Sequence, residues 1–363
     1  MPANTPSARI RDAFHEALGV GVFPGAAVLI QNSDGRRWQA AYGVADTITG
    51  EAVRLETVFD LASLTKPLCT ALAVMRLLQW GQLDLDDRLG NVLAAFNETD
   101  KADIRIRHLL SHQAGFPAWQ PYFENLRPKP MAERRGLLAS RLVHEPLIGA
   151  PGFESCYSDL DFMVLQMVVE TVSGQPLNHF ASEHLYRPLG LKDLFFTSTT
   201  ASPPLRPFAA TENCPWRGRV LKGHVHDDNA YVLGGVAGHA GLFGTVADLG
   251  DLLTALLGAY CQASATGIFD TEWVRLFFRR SPSSDWALGF DTPSASGSSS
   301  GRFFSANTVG HLGFTGTSFW MDLDRHVILV LLTNRVHPSR ADERIKSFRP
   351  MIHDLIMTGL GYG

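Results

Sequence analysis

The placement of the strand-like runs constrains this chain most: they lie near its two ends, and the stretch between them reads as helix. Gly25 to Gln31 is an apolar run, Asn32-Ser33-Asp34-Gly35 a turn, and Arg36 to Tyr42 a returning strand. Thr317 to Asp322 and His326 to Thr333 flank a second turn at Leu323-Asp324. Before the first hairpin, Ile10, Phe14 and Leu18 recur at helical spacing after Ser7, the expected N-cap, with Gly19 as the stop. Ala341 to Gly359 predicts a closing helix, kinked at Pro350. Met131 to His144, Asp159 to Ser173, Pro176 to Tyr186 and Val246 to Tyr260 also read as helices. Backbone groups of buried strands must pair, so the two terminal hairpins predict one antiparallel sheet. The fold class is then α+β, a sheet built from both termini with a mostly helical lobe inserted into it.

At 363 residues the chain exceeds the length at which one core stops growing. The expectation is a single composite domain over 1–363, with a sheet lobe of about 1–80 and 230–363 and a helical lobe of about 81–229. Lys plus Arg number 32 against 36 acids, so no basic excess marks a nucleic-acid partner. No apolar run reaches the ~18 residues of a membrane span. Met1 to Ser7 is polar, with no charged start and apolar stretch, which predicts a cytoplasmic protein, or a periplasmic one if a leader was removed. The four cysteines, Cys69, Cys156, Cys214 and Cys261, form no C-x-x-C pair and predict neither a zinc ribbon nor a redox dithiol. No cofactor is implied, and the oligomeric state is not readable.

Two motifs carry residue types of known chemistry in the wrong setting. Gly297-Ser298-Ser299-Ser300-Gly301 matches G-x-S-x-G, but it lies in a Ser-rich stretch, Ser281 to Gly301, that reads as a surface loop. His224-Val225-His226-Asp227-Asp228 has metal-ligand types without a further cluster at zinc spacing, so a polar loop is the better reading and no metal is expected. A metallohydrolase built on His224 and His226 is the outlying alternative.

Three elements together carry a function. Ser63-Leu64-Thr65-Lys66 opens a helix predicted over Ser63 to Trp80, with Pro67 in its first turn and Leu68, Leu72, Met75, Leu77 and Leu78 on its apolar face. Spacing i, i+3 brings the serine hydroxyl and lysine amine together, and a desolvated lysine of lowered pKa can deprotonate serine. Tyr157-Ser158-Asp159 precedes another helix, and a tyrosine hydroxyl aimed at the same place shares the proton. His311-Leu312-Gly313-Phe314-Thr315-Gly316 stands before the Thr317 strand, where an edge strand leaves an N–H free for a substrate carbonyl and Gly313 admits close approach.

Together these resemble the serine β-lactamase and penicillin-binding-protein superfamily, in the branch of class C β-lactamases and their esterase and D-peptidase relatives. Val58-Phe59-Asp60-Leu61-Ala62, His108 to Gly115, Leu185 to Leu191 and Gly310 to Trp320 are similar to that branch as well. The resemblance implies a β-lactamase/transpeptidase-like fold and a serine hydrolase acting on a small ester, amide or peptide. It implies Ser63 as acylated nucleophile, Lys66 as proton acceptor and Tyr157 as its partner. It also implies an oxyanion hole from the N–H groups of Ser63 and Phe314, His311 at the third-motif basic position, and Trp119 and Gln120 lining the cleft. Asp159 replaces an asparagine and His311 a lysine, and both departures predict weak β-lactam turnover. Arg335 or Arg340 is the alternative source of a carboxylate contact. The rival function is a non-catalytic penicillin-binding or sensor module that acylates and stalls.

Overall fold

The computed structural model describes residues 8–262, 267–281 and 284–363. The expected Ser7 cap and the Met1 to Ser7 segment lie outside them. A six-stranded antiparallel sheet runs in the order Glu51–Ala52, Arg37–Asp46, Gly25–Gln31, Val327–Thr333, Ser318–Asp322, Thr308–Leu312. The first and last thirds of the chain meet at its centre, where Ala26 to Gln31 pairs with Thr333 to Ile328. Both central strands are buried on two faces. Ala27, Leu29, Ile328, Val330 and Leu332 face the inner core, while Ala26, Val28, Val327, Leu329 and Leu331 face an outer one. This is the period-2 alternation of a strand covered on each side.

The outer core is closed by the two terminal helices. Ala8–Gly19 contributes Ile10 and Phe14, and Ile345–Gly359 contributes Phe348, Ile352 and Ile356. The latter begins four residues later than the sequence predicts, because Asp342 ties up the Arg344 N–H in a turn, and it continues through Pro350. The inner core joins the sheet to the helical region, including Met131–His144, Asp159–Ser173 and Val246–Tyr260 at their predicted bounds. Among the described residues, no helix is long and apolar enough to cross a membrane.

The Ser63 segment is not the regular helix the sequence predicts. It is a 3-10 turn at Ala62–Leu64, a π-helical stretch at Lys66–Ala71, and an α-helix only from Leu72–Gln79. Pro67 has no N–H to close the i→i−4 bond onto Ser63, so the first α-turn cannot form. Thr70 Oγ1 donates instead to Gly238 O at 2.7 Å. Single π-turns of this kind concentrate at functional sites. The five predicted apolar residues of this segment are all fully or almost fully buried.

Candidate active site

The turn that presents Ser63 is strained and tied down. Ala62 adopts φ +48, a left-handed conformation that costs a non-glycine residue about 1–3 kcal/mol. Asp60 holds it: one carboxylate oxygen accepts from Ala62 N at 2.9 Å and the other from His226 N at 2.7 Å. The third motif is pinned to the same turn, with Thr315 Oγ1 donating to Asp60 O at 2.7 Å and Thr317 Oγ1 to Leu61 O at 3.0 Å. Phe314 therefore lies against the Ser63 turn. Neither the Ser63 nor the Phe314 N–H donates to a protein acceptor among the described residues. His311 lies on Thr308–Leu312, a strand the sequence did not single out; it holds the edge of the large sheet, while the Ser318–Asp322 strand that follows is paired on both sides.

Gly313 has a packing reason beside the one expected. A Cβ there would collide with Thr317 Oγ1 and with Leu61 O, both interior atoms. The glycine lets the third motif seat on the Ser63 turn, and it also lies on the cleft wall.

Lys66 is fully buried, and its Nζ reaches Ser63 Oγ at 3.0 Å, Asp159 Oδ1 at 2.6 Å and His239 O at 3.2 Å. Tyr157 lies beside both Lys66 and Ser63, with Lys66 Nζ 4.9 Å from the centre of its ring. Burial works against the ammonium, but Asp159 and Tyr157 outweigh it and hold Lys66 well above its ordinary range. The lowered lysine pKa expected from sequence is thus corrected, because the carboxylate of Asp159 is its contact. Asp159 is free for that contact because Ser158 caps the helix, its Oγ accepting from Leu160 N at 3.1 Å. Burial pushes the Tyr157 phenol up, so it is neutral in the resting site.

Tyr157 is positioned by His112, which accepts from Ser158 N through Nδ1 and from Cys156 N through its carbonyl. The two rings lie 4.8 Å apart. Trp286 stacks on Tyr157 at 5.2 Å and meets the His112 ring edge-on at 4.7 Å. Sequence reading missed Trp286 because it lies in the stretch taken for a surface loop. That stretch is corrected here: Gly289 N bonds Leu110 O, and Asp291 pairs with Gly310 on the outermost strand. The Gly297 to Gly301 motif stays apart, its Ser299 O contacting His353 in place of any site residue.

His311 Nδ1 lies 2.8 Å from Leu312 O, which can only accept, so Nδ1 carries the proton. Burial, reinforced by Lys66, pushes the imidazole down to about 3. It is neutral, as expected, and its Nε2 has no partner among the described residues.

These groups line a cleft of about 710 Å³, with Ser63, Tyr157, Asp159, Trp286 and His311 on its walls. Trp119 and Phe314, each about half exposed at 48% and 51%, stand at its edge. Gln120 is not on its walls, because its amide donates to Glu145 Oε1 at 2.6 Å. His224 and His226 do not come together as a ligand set. Among the described residues, the three groups that do approach within 4.8 Å of one another are Asp159, Asp227 and His239. Within that set Asp159 is bonded to Lys66, and Asp227 to His239 at 3.0 Å. His239, whose carbonyl serves Lys66, had no signal in the sequence beyond its glycine-rich surroundings.

The chain is similar to known proteins over nearly its whole length. A putative D-alanyl-D-alanine carboxypeptidase of Escherichia coli O157:H7 is 33% identical over 362 residues, covering 88% of this chain and 80% of that protein. One of Salmonella typhi is 31% identical, covering 89% and 81%. Among solved structures, EstCE1, a hydrolase with promiscuous acyltransferase activity, superposes with a TM-score of 0.76 at 23% identity over 98% of both chains. The octameric penicillin-binding protein homologue from Pyrococcus abyssi gives 0.77 at 18%, over 99% of this chain and 78% of that one. At such identities these two establish a shared fold. With the Beta-lactamase family model matching residues 10–348, the chain belongs to the beta-lactamase family of serine hydrolases.

Proposed function

We propose that the protein cleaves an ester or amide through an acyl-enzyme on Ser63, as a carboxylesterase or D-peptidase with little turnover of β-lactams. The observation that carries this reading is the contact of Ser63 Oγ with Lys66 Nζ at 3.0 Å, with Tyr157 beside both and, among the described residues, no protein acceptor on the Ser63 and Phe314 N–H groups. Lys66 and Tyr157 titrate as a pair, and the competent state holds one proton fewer than the resting one. Ser63 gives its proton to that pair as Oγ attacks the carbonyl carbon. The oxyanion is held by the Ser63 and Phe314 N–H groups. As the carbon–leaving-group bond breaks, the pair returns the proton to the leaving atom. Water then repeats the sequence and frees the acid.

The test is turnover of p-nitrophenyl butyrate, with the adduct of a fluorophosphonate located by mass spectrometry. Lys66→Ala and Tyr157→Phe are each expected to lose about 10²–10⁴-fold in kcat while folding normally. An adduct on another residue overturns the assignment. A burst of one equivalent followed by no turnover supports the stalled sensor module instead.

A further inference from the structure

Beside Tyr157 lies a fully buried pair that the proposed chemistry does not use. His112 and Asp161 are each 1% exposed. Asp161 stands in the first turn of Asp159–Ser173, where an acid ordinarily serves the helix N-terminus as an anion. Here Ser158 Oγ accepts the Leu160 and Asp161 N–H groups instead, and the Asp161 side chain turns to His112. His112 holds φ +58, a left-handed backbone that a non-glycine residue keeps only where its surroundings fix it.

The contact between the two side chains locates a proton. His112 Nδ1 lies 3.1 Å from Asp161 Oδ2 and also accepts the Ser158 N–H at 3.2 Å. A ring nitrogen that accepts an N–H carries no proton of its own. Against an ionised carboxylate, lone pairs would face each other across 3.1 Å. The contact is attractive only when Oδ2 bears a proton and donates it to Nδ1. Asp161 Oδ1 has no partner among the described residues, a costly arrangement for an ionised carboxylate in the interior.

The titratable groups that face Asp161 are Lys66 from the π-helical stretch, His112, and Asp159 and Cys156 from its own segment. Burial holds the Asp161 carboxyl well above its ordinary range, against the Lys66 charge and with Asp159 adding to the effect. Burial, with Lys66 and His311 reinforcing it, holds the His112 imidazole well below its own. The ring is therefore neutral, with its proton on Nε2. That nitrogen has no partner among the described residues. The rings of Tyr157, Phe162 and Trp286 enclose the imidazole at 4.8, 5.3 and 4.7 Å.

We infer that Asp161 is a neutral carboxylic acid whose O–H is donated to His112 Nδ1, and that through His112 it is a positioning residue for Tyr157; the second part rests on the acyl transfer proposed above. Fixing the imidazole leaves His112 holding both chain neighbours of Tyr157, Ser158 N through Nδ1 and Cys156 N through its carbonyl. Being neutral, Asp161 adds no second anion beside Lys66, which Asp159 already holds as an ammonium. A further negative charge there would make the deprotonation that the chemistry needs still harder.

The charge is tested on the resting protein at pH 7 by infrared difference spectroscopy, wild type minus Asp161→Asn, with Asp161→Leu as a second subtraction. A protonated carboxyl band is expected to vanish in each variant. Loss of a carboxylate band instead overturns the proposal. Kinetics with p-nitrophenyl butyrate test the positioning. Asp161→Leu is expected to lose about 10-fold in kcat, with KM little changed, and Asp161→Asn, whose amide can donate to Nδ1, to recover part of that loss. The rising limb of kcat/KM against pH is expected to stay in place in Asp161→Asn, because no charge is removed. A limb that moves down, or an undiminished kcat in Asp161→Leu, overturns the proposal. If wild type cleaves no ester, the acyl transfer falls and the positioning role with it, while the neutral acid stands or falls on the infrared band alone.

Discussion

Asp159 changes what Lys66 is. An asparagine at that position would offer Lys66 a neutral oxygen, whereas the carboxylate at 2.6 Å fixes an ammonium beside Ser63 Oγ. An ammonium has no lone pair, so proton uptake from serine must await its deprotonation. Asp159→Asn removes the counter-charge and lowers the lysine pKa. The rising limb of kcat/KM against pH is then expected to move down by about one unit or more, with faster acylation near neutrality. A limb that stays in place shows that Lys66 is not the group being titrated. The repulsion toward anionic substrates expected from Asp159 is correspondingly weak, since its charge is spent on Lys66.

At the scale of elements, the site depends on how closely the outermost strand and the Ser63 turn are joined. Thr315 and Thr317 make that join through side-chain hydroxyls, and Gly313 makes room for it. Gly313→Ala forces the strand away from Leu61 and separates Phe314 from Ser63. The expected result is a fall in kcat with a loss of stability of about 1–3 kcal/mol, as overpacking produces. If denaturant unfolding is unchanged and KM alone rises, the glycine serves the substrate and the packing argument fails. The π-helical stretch belongs to this scale too. Pro67 and Thr70 were plain in the sequence, but the carbonyl that Thr70 meets at Gly238 comes from 168 residues away.

For the molecule as a whole, Asp291 links the cleft to stability. It joins the Trp286 segment to the large sheet, and burial raises its carboxyl to about 7, with Asp285 adding to the effect and a Thr292 N–H opposing it. A folded-state pKa above the unfolded value means that the native state binds this proton more tightly. Its contribution is therefore complete below the ordinary carboxylate range of about 4 and is lost as pH rises towards 7. Urea unfolding of wild type between pH 4 and 8 is expected to show this decline, and Asp291→Asn a flatter profile over the same interval. Parallel profiles would place the titration elsewhere.

Local pattern was enough for much of this protein. The hairpins near both ends, the helices Met131–His144, Asp159–Ser173 and Val246–Tyr260, and the i, i+3 contact of Ser63 with Lys66 follow from periodicity and spacing alone. Those signals are short-range, and the residues that create them are also the ones that meet. The charge of Lys66, the placement of Trp286 over Tyr157 and the turning of Gln120 to Glu145 were decided only by tertiary structure. Each depends on what distant segments bring within a few ångströms. Desolvation and pairing, which set the charge of a buried group, are properties of that enclosure and not of the residue.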